Sequence, residues 1–131
     1  FEEYGVAVKR VINCGGIAMK NALVMQIYAD VMNATMEISK SAQTGALGSA
    51  IAGSVVAGSS AGGYGTIEEA ISHMTGVQPK KYDPNPEEAA VYDEIYREYR
   101  KLHDSFGTTD YSGNLYEVMK NLLKIKDRVR S

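Results

Sequence analysis

The sequence predicts a helix-rich α/β fold. Short runs suited to strands, Val11-Ile12-Asn13-Cys14 and Thr35-Met36-Glu37-Ile38, alternate with longer segments whose apolar residues recur every three or four positions. Glycine pairs and capping sequences punctuate the junctions. With 131 residues, 44% hydrophobic and 23% charged, the chain has the length of one domain with a modest core. A net charge of −2 and a pI near 5.7 give no electrostatic argument for nucleic acid or an anionic membrane, so neither is expected as a partner. The single cysteine, Cys14, excludes an internal disulfide framework and fits a reducing compartment. No basic stretch leads into an apolar one near Phe1, and Phe1 through Val8 read as the tail of something longer, so a fragment is expected.

Taken in order, the first strand runs into Gly15-Gly16, a pair that can bend the chain and, lacking Cβ atoms, lets a ligand approach its backbone. From Lys20 the pattern is helical, with Leu23, Ile27 and Val31 at spacing four and Val24 and Tyr28 widening the stripe. A strand, glycine turn and helix together present main-chain N–H groups whose dipole favours an anion such as phosphate. Alone, such a turn is more often a simple chain reversal. The spacing matches neither the dinucleotide fingerprint, with its third glycine, nor the Gly-Lys-Ser/Thr of a P-loop.

No charged residue occurs from Ser41 to Ile67, but only Leu47, Ile51, Val55, Val56 and Ile67 are large aliphatics, too few for a membrane span. Leu47, Ile51 and Val55 predict a helix over 46–57. Gly48 and Gly53 each cost it about 1 kcal/mol relative to alanine, which close packing of the backbone against a sheet or helix would explain. After the loop GSSAGGYG, Thr66 and Glu69 form a capping box and Gly76 is the expected stop. Val77 to Tyr82 is extended, with Pro79 and Pro84 opposing helix. Asn85-Pro86-Glu87-Glu88 opens a long helix with the stripe Tyr92, Ile95, Tyr96, Tyr99, Leu102 and Phe106, closed by Gly107. A last helix from about Asn114 carries Leu115, Val118, Met119, Leu122, Ile125 and Val129 on one face, and the two form an αα-hairpin.

Most chemically suggestive residues have a plainer reading. His73 and His103 sit on separate helices without Cys or His at ligand spacing, so no metal site is expected. No GxSxG elbow supports a nucleophilic serine. Cys14, ending a strand, reads as a small buried side chain rather than a reactive thiol. Lys120, Lys124, Lys126, Arg128 and Arg130 complement the last helix dipole and meet water, and the tyrosine stripe is core or interface before it is a stacking platform. Gln26 and Asp30, four apart on an otherwise apolar helix, can bond each other, bond a neighbouring segment or face solvent; a structural role outweighs catalysis.

The stretch VINCGGIAMKNALVMQIYADVMNATMEIS, followed by the small-residue helix ALGSAIAGSVVAG, resembles the adenosine-binding end of the FGGY carbohydrate kinases, which belong to the actin-like, sugar-kinase and Hsp70 ATPase superfamily. Linked details carry the likeness: Gly15-Gly16 after a strand, Gln26 and Asp30 in the next helix, and Ala46-Leu47-Gly48-Ser49-Ala50 at the expected distance. The tail NPEEAAVYDEIYREYRKLHDSFGT is similar to the carboxyl terminus of the branch that phosphorylates L-ribulose.

The resemblance implies part of a ribonuclease H-like carboxyl-terminal lobe, with residues 10–65 as its adenosine-binding portion and 66–131 as a helical extension. It implies ATP-dependent phosphorylation of L-ribulose to L-ribulose 5-phosphate in arabinose catabolism, with Mg2+ on the nucleotide phosphates, in a cytoplasmic homodimer. The partners so implied are ATP or ADP and a sugar bound mainly by residues upstream of Phe1, where the family's base and phosphate loop also lie. No residue here matches that base, so none is assigned a catalytic role and the isolated chain is expected to be inactive. Gly15, Gly16 and Ile17 match the nucleotide-binding turn. Lys20 stands where many members carry an adenine- or ribose-contacting asparagine and Asn21 follows it, so both are candidates. Ala46, Gly48 and Ala50 match a segment at the hinge between lobes. The alternatives are a kinase of another pentulose or a polyol, and a non-catalytic helical interaction module.

Overall fold

The computed structural model describes residues 4–131, so part of the expectation for Phe1 to Val8 falls on residues 1–3 and lies outside the described residues. In chain order the elements are β1 (Val11–Asn13), α1 (Gly16–Lys20), α2 (Ala22–Met32), β2 (Met36–Ser39), α3 (Thr44–Ala57), a 3₁₀ turn (Ser59–Ala61), α4 (Ile67–Met74), β3 (Val77–Tyr82), α5 (Pro86–Gly107) and α6 (Val118–Arg130). This is the helix-rich α/β composition expected. The chain folds as two compact units, the first holding the residues up to Ala29 together with Ala34–Asp83 and the second Asp30–Asn33 with Pro84–Ser131.

The first unit is built on a three-stranded sheet of order β1-β2-β3, with β1 parallel and β3 antiparallel to β2. Pro79 is accommodated because β3 is an edge strand, where a missing N–H need break no ladder bond. Ala18, Met25 and Ala29 from the helices pack with Met36, Ile38 and Tyr82 from the strands. The most buried apolar residues of α2 are therefore Met25 and Ala29, and the stripe expected from periodicity is only partly inside: Val24 and Ile27 are half-buried, whereas Leu23 is 70% exposed and Tyr28 and Val31 are also exposed. A helix that is apolar nearly all round carries no phase information, so the sheet chooses the face that its small and flexible side chains fit most closely.

The central strand also buries a charge. Glu37 is 4% exposed, and its carboxylate receives Arg10 Nε on one oxygen and Lys81 Nζ on the other, the latter at 3.0 Å. Since Glu37 pairs with Ile12 and Lys81 in register, the three charges tie all three strands together. The hydrogen bond from Arg10, then that from Lys81, hold the Glu37 carboxyl down from its ordinary 4.5 to about 2.

Helix α3 buries Ile51 and half-buries Leu47 and Val55, as their spacing requires. The expected close packing at Gly48 and Gly53 does not occur: a Cβ built on either meets nothing within 4 Å. A glycine that is tight in this region is instead Gly63, whose Cβ would overlap the Ser54 carbonyl oxygen. At α4, Thr66 Oγ1 accepts the Glu69 N–H at 3.2 Å as expected, and Glu69 Oε2 reaches back to the N–H of Gly65 at 2.9 Å, closing the box one residue early. Met74 ends that helix, capped by extended Thr75, and Gly76 lends its carbonyl to Lys40 N–H at 2.9 Å instead of adopting a left-handed stop.

The second unit is the expected hairpin of α5 and α6. Asn85 Oδ1 caps α5 by accepting the Glu87 N–H at 3.0 Å, with Pro86 at the first helical position. The helices meet along a different seam from the one that the aromatic spacing suggests. Ala89, Val91, Tyr92, Glu94, Glu98, Lys101, Asp104 and Ser105 are the buried or half-buried positions of α5, so of the expected stripe Tyr92 is half-buried, whereas Tyr99 is 56% and Phe106 84% exposed. From α6 come Val118, Leu122 and Ile125, and the helix starts four residues later than expected. Arg128 Nη2 lies 2.9 Å from both oxygens of Glu94, while Lys101 Nζ and Asn121 Nδ2 hold Glu98 Oε1 at 2.8 and 3.1 Å. The ammonium of Lys101 lowers the Glu98 carboxyl below its ordinary value, opposed by burial.

The Glu37 clamp makes the first unit acid-sensitive. Its folded pKa is depressed, so its stabilisation is complete above about pH 4.5 and is lost as pH falls from there towards 2. Glu37→Gln is expected to lower stability at pH 7 and to flatten this acid limb in urea titrations followed at several pH values; an unchanged limb would refute the clamp.

Candidate functional site

The five residues singled out at the glycine turn fall on one short stretch. Gly15 has φ 89° and ψ 177°, a region that only glycine adopts readily, and serves as the N-cap of α1. Gly16 and Ile17 begin that helix and are exposed, Ile17 by 67%. A Cβ on Gly15 or on Gly16 would meet nothing within 4 Å, so the turn offers bare, accessible backbone. The first N–H groups of a helix have no intrahelical partner, and here they follow directly on that open turn.

The helix expected from Lys20 is in fact two. Helix α1 stops at Lys20, and Asn21 takes an extended conformation, φ −121° and ψ 91°. Its N–H bonds to the Ile17 carbonyl at 2.9 Å, and its Oδ1 accepts the N–H of Val24 at 3.1 Å, which makes it the N-cap of α2. Asn21 thus has a structural task. The Lys20 side chain is exposed and enters no ion pair or hydrogen bond among the described residues. Cys14, expected to be buried, is exposed and free; a three-residue strand at the sheet edge leaves its successor uncovered.

Gln26 and Asp30 resolve in favour of the neighbouring segment. Gln26 Nε2 donates to the Asp83 carbonyl at 2.9 Å in the first unit. In the second, the buried Asp30 accepts the Asn85 N–H at 2.8 Å. Both act on backbone. Of the candidate hinge residues on α3, Ala46 and Ala50 are exposed, while Gly48 lines a cavity of about 370 Å³ with Arg10, Ile12, Ser39 and Thr44. A second cavity in this unit, about 390 Å³, is bounded by Arg10, Glu37 and Lys81. None of the five glycine-turn residues lines either.

Sequence reasoning missed the Glu37 clamp and the Glu98 seam. The signal for the first was an acid amid apolar residues in a short strand, with cations flanking the neighbouring strands; the second needed the hairpin's phase. Among the described residues, no three His, Cys, Asp or Glu side chains gather as a metal site, and no helix is long and apolar enough to cross a membrane.

Residues 1–57, which contain the glycine turn and all of α3, match the family described as the FGGY family of carbohydrate kinases, C-terminal domain. Over those residues the chain is a match to that family of sugar kinases. It is similar over nearly its whole length to proteins named ribulokinase: 46% identical over 127 residues to that of Bacillus licheniformis, covering 97% of this chain, and 44% over 131 residues to that of Geobacillus thermodenitrificans, covering all of it. The ribulokinase of Staphylococcus aureus strain Newman is 36% identical over 109 residues, 82% of this chain. The chain spans about a fifth of the length of these relatives, 22%, 22% and 19% respectively.

Gly15 and Gly16 separate backbone demand from steric demand. Gly15→Ala is expected to destabilise the chain by about 1–3 kcal/mol, since the side chain has room but the φ is unfavourable. Gly16→Ala, with ordinary φ and the same open surroundings, is expected to stay within about 0.5 kcal/mol of the parent. Urea unfolding of the two variants measures the contrast.

Proposed function

We propose that this chain is the nucleotide side of an ATP-dependent L-ribulokinase, which transfers the γ-phosphoryl group of ATP to L-ribulose and gives L-ribulose 5-phosphate. The observation that carries the reading is the open backbone at Gly15-Gly16, lying inside the segment that matches the FGGY C-terminal domain. Similarity to ribulokinases along the whole chain, beyond residue 57, supports the sugar.

In this reading the turn from Gly15 to Ile17 lies along the ribose and α-phosphate, where the absence of Cβ atoms permits close approach. Asn21 Oδ1 caps α2 while its Nδ2 keeps two donors, so Lys20 and Asn21 are both side chains that could reach the nucleotide. Helix α3, with Ala46, Gly48 and Ala50, lies at the hinge between lobes, and the first unit forms part of a ribonuclease H-like lobe. Phosphoryl transfer rests on positioning and charge stabilisation. This chain's part is to hold and orient the nucleotide. Magnesium, where bound to the nucleotide, would neutralise phosphate charge. The sugar, the base and the phosphate loop belong to the remainder of a protein of the relatives' length, working in the cytoplasm in arabinose catabolism as a homodimer.

Calorimetric titration of the chain with ADP tests the site. Binding is expected, and Gly16→Asp, which sets a carboxylate against the phosphates, is expected to weaken it by about tenfold or more. Equal affinity in parent and variant would sink the assignment. The purified 131-residue chain is expected neither to phosphorylate L-ribulose nor to hydrolyse ATP appreciably, read by product formation; robust turnover would place the base within these residues.

A further inference from the structure

We propose that the aromatic face of α5 is an interface between two copies of this chain, packed antiparallel about a two-fold axis between Arg100 and Lys101. The inference gives a surface to the homodimer of the reading above, but it rests on the pattern of one helix and needs no nucleotide. Helix α5 carries the same spacing twice. Val91, Glu94, Glu98, Lys101 and Ser105, alternately three and four residues apart, are all buried or half-buried and line the seam with α6. One residue on, Tyr92, Ile95, Tyr99, Leu102 and Phe106 repeat the alternation, and from Ile95 onward every one is exposed. Apolar residues in this alternation form the heptad seam by which one helix packs along another. The second seam lies about 100° round the helix from the first, and it is left open.

A second copy of α5 fits that seam by its own sequence. With the helices antiparallel about the stated axis, Ile95 faces Phe106 of the second copy and Tyr99 faces its Leu102. Each contact then occurs twice, as an isologous interface requires. Phe106 comes to the mouth of a cavity of about 240 Å³, lined by Val91 and Ile95 of α5 and by Leu122, Ile125 and Val129 of α6. Lys126 and Arg130 rim the same cavity, and Asp110, four residues beyond Phe106, brings a carboxylate of the second copy towards those cations. A parallel pair would instead set the acidic first turns, Glu87 and Glu88, against each other.

The face is also large enough and already ordered. With about 150–250 Å² for each aromatic side chain, exposures of 53%, 56% and 84% at Tyr96, Tyr99 and Phe106 leave about 400 Å² of contact area. Ile95, Leu102 and Val129 raise this to about 600 Å² per copy, so a pair buries about 1,200 Å², the lower end of the standard interface. The Tyr96 and Tyr99 rings lie 6.0 Å apart and the Tyr99 and His103 rings 6.1 Å apart, so the side chains support one another along the face. Ordering them costs less on association.

Sedimentation velocity of the 131-residue chain without nucleotide tests the interface. At about 100 μM, ample for an interface of this size, the expected mass is twice 14.2 kDa. Tyr99→Glu and Phe106→Glu, at exposed positions where circular dichroism checks folding, are each expected to weaken association by about tenfold or more. Val56→Glu, at an exposed apolar residue of α3, is expected to leave the dimer intact. In a Cys14→Ser background, Ile95→Cys and Phe106→Cys chains are expected to cross-link to each other when mixed and oxidised with diamide, and neither to itself. A monomer at 100 μM, a dimer indifferent to both α5 substitutions or lost equally in Val56→Glu, or Ile95→Cys chains that cross-link to themselves would each overturn the proposal. With nucleotide absent, any of these leaves the ADP titration to decide the nucleotide reading separately.

Discussion

The first unit depends on a buried carboxylate. Glu37 sits in the middle strand of a sheet whose strands are only three to six residues long, too short for ladder bonds alone to specify register. A one-residue slip of either neighbour would remove a cation from a buried anion, a far larger penalty than the loss of one apolar contact. Register and charge pairing are thus one constraint. The small core follows from it: with β2 held in place, Met36 and Ile38 meet Met25 and Ala29, and the helix carrying them is fixed in rotation.

The second unit applies polar chemistry to a different end. The hairpin adds Arg128–Glu94 and Asn121–Glu98 bonds across its helices to an apolar contact built on Val118, Leu122 and Ile125, and turns Tyr96, Tyr99 and Phe106 outward. Breaking such a seam by removing one partner leaves a buried charge behind, so its members act as a set. The exposed run of Ile95, Tyr96, Tyr99 and Phe106 is larger than scattered surface hydrophobics and has the composition of an interface.

What was legible in the sequence was local. Thr66, Asn85 and Pro86 announced their helix starts because a cap is decided within four residues, and Gly15 announced a turn because few other residues tolerate its φ. Gln26 and Asp30 were legible as structural, though not their partners at Asp83 and Asn85. Rotation was not legible. Both α2 and α5 were assigned the face that their large apolar residues define, and both turn part of that face outward, because the choice belongs to the sheet that α2 packs on or to groups on a second helix. The open flanks of Gly48 and Gly53 were missed for a related reason: small residues show that close approach is permitted, never that it is used.

The same reasoning explains why the glycine turn was readable and its side chains were not. Backbone freedom at Gly15 follows from residue type alone, whereas the roles of Lys20 and Asn21 hinge on where one helix ends and the next begins. Had the helix run through unbroken, Asn21 would be a mid-helix side chain free to turn outward. The extended conformation at Asn21 instead creates a new helix start with orphan N–H groups, and the nearest oxygen able to satisfy one of them is its own side chain. The break that positions the turn therefore also gives asparagine's oxygen a structural task, and it leaves Lys20, at the end of α1 beside the open glycines, as the exposed charged side chain.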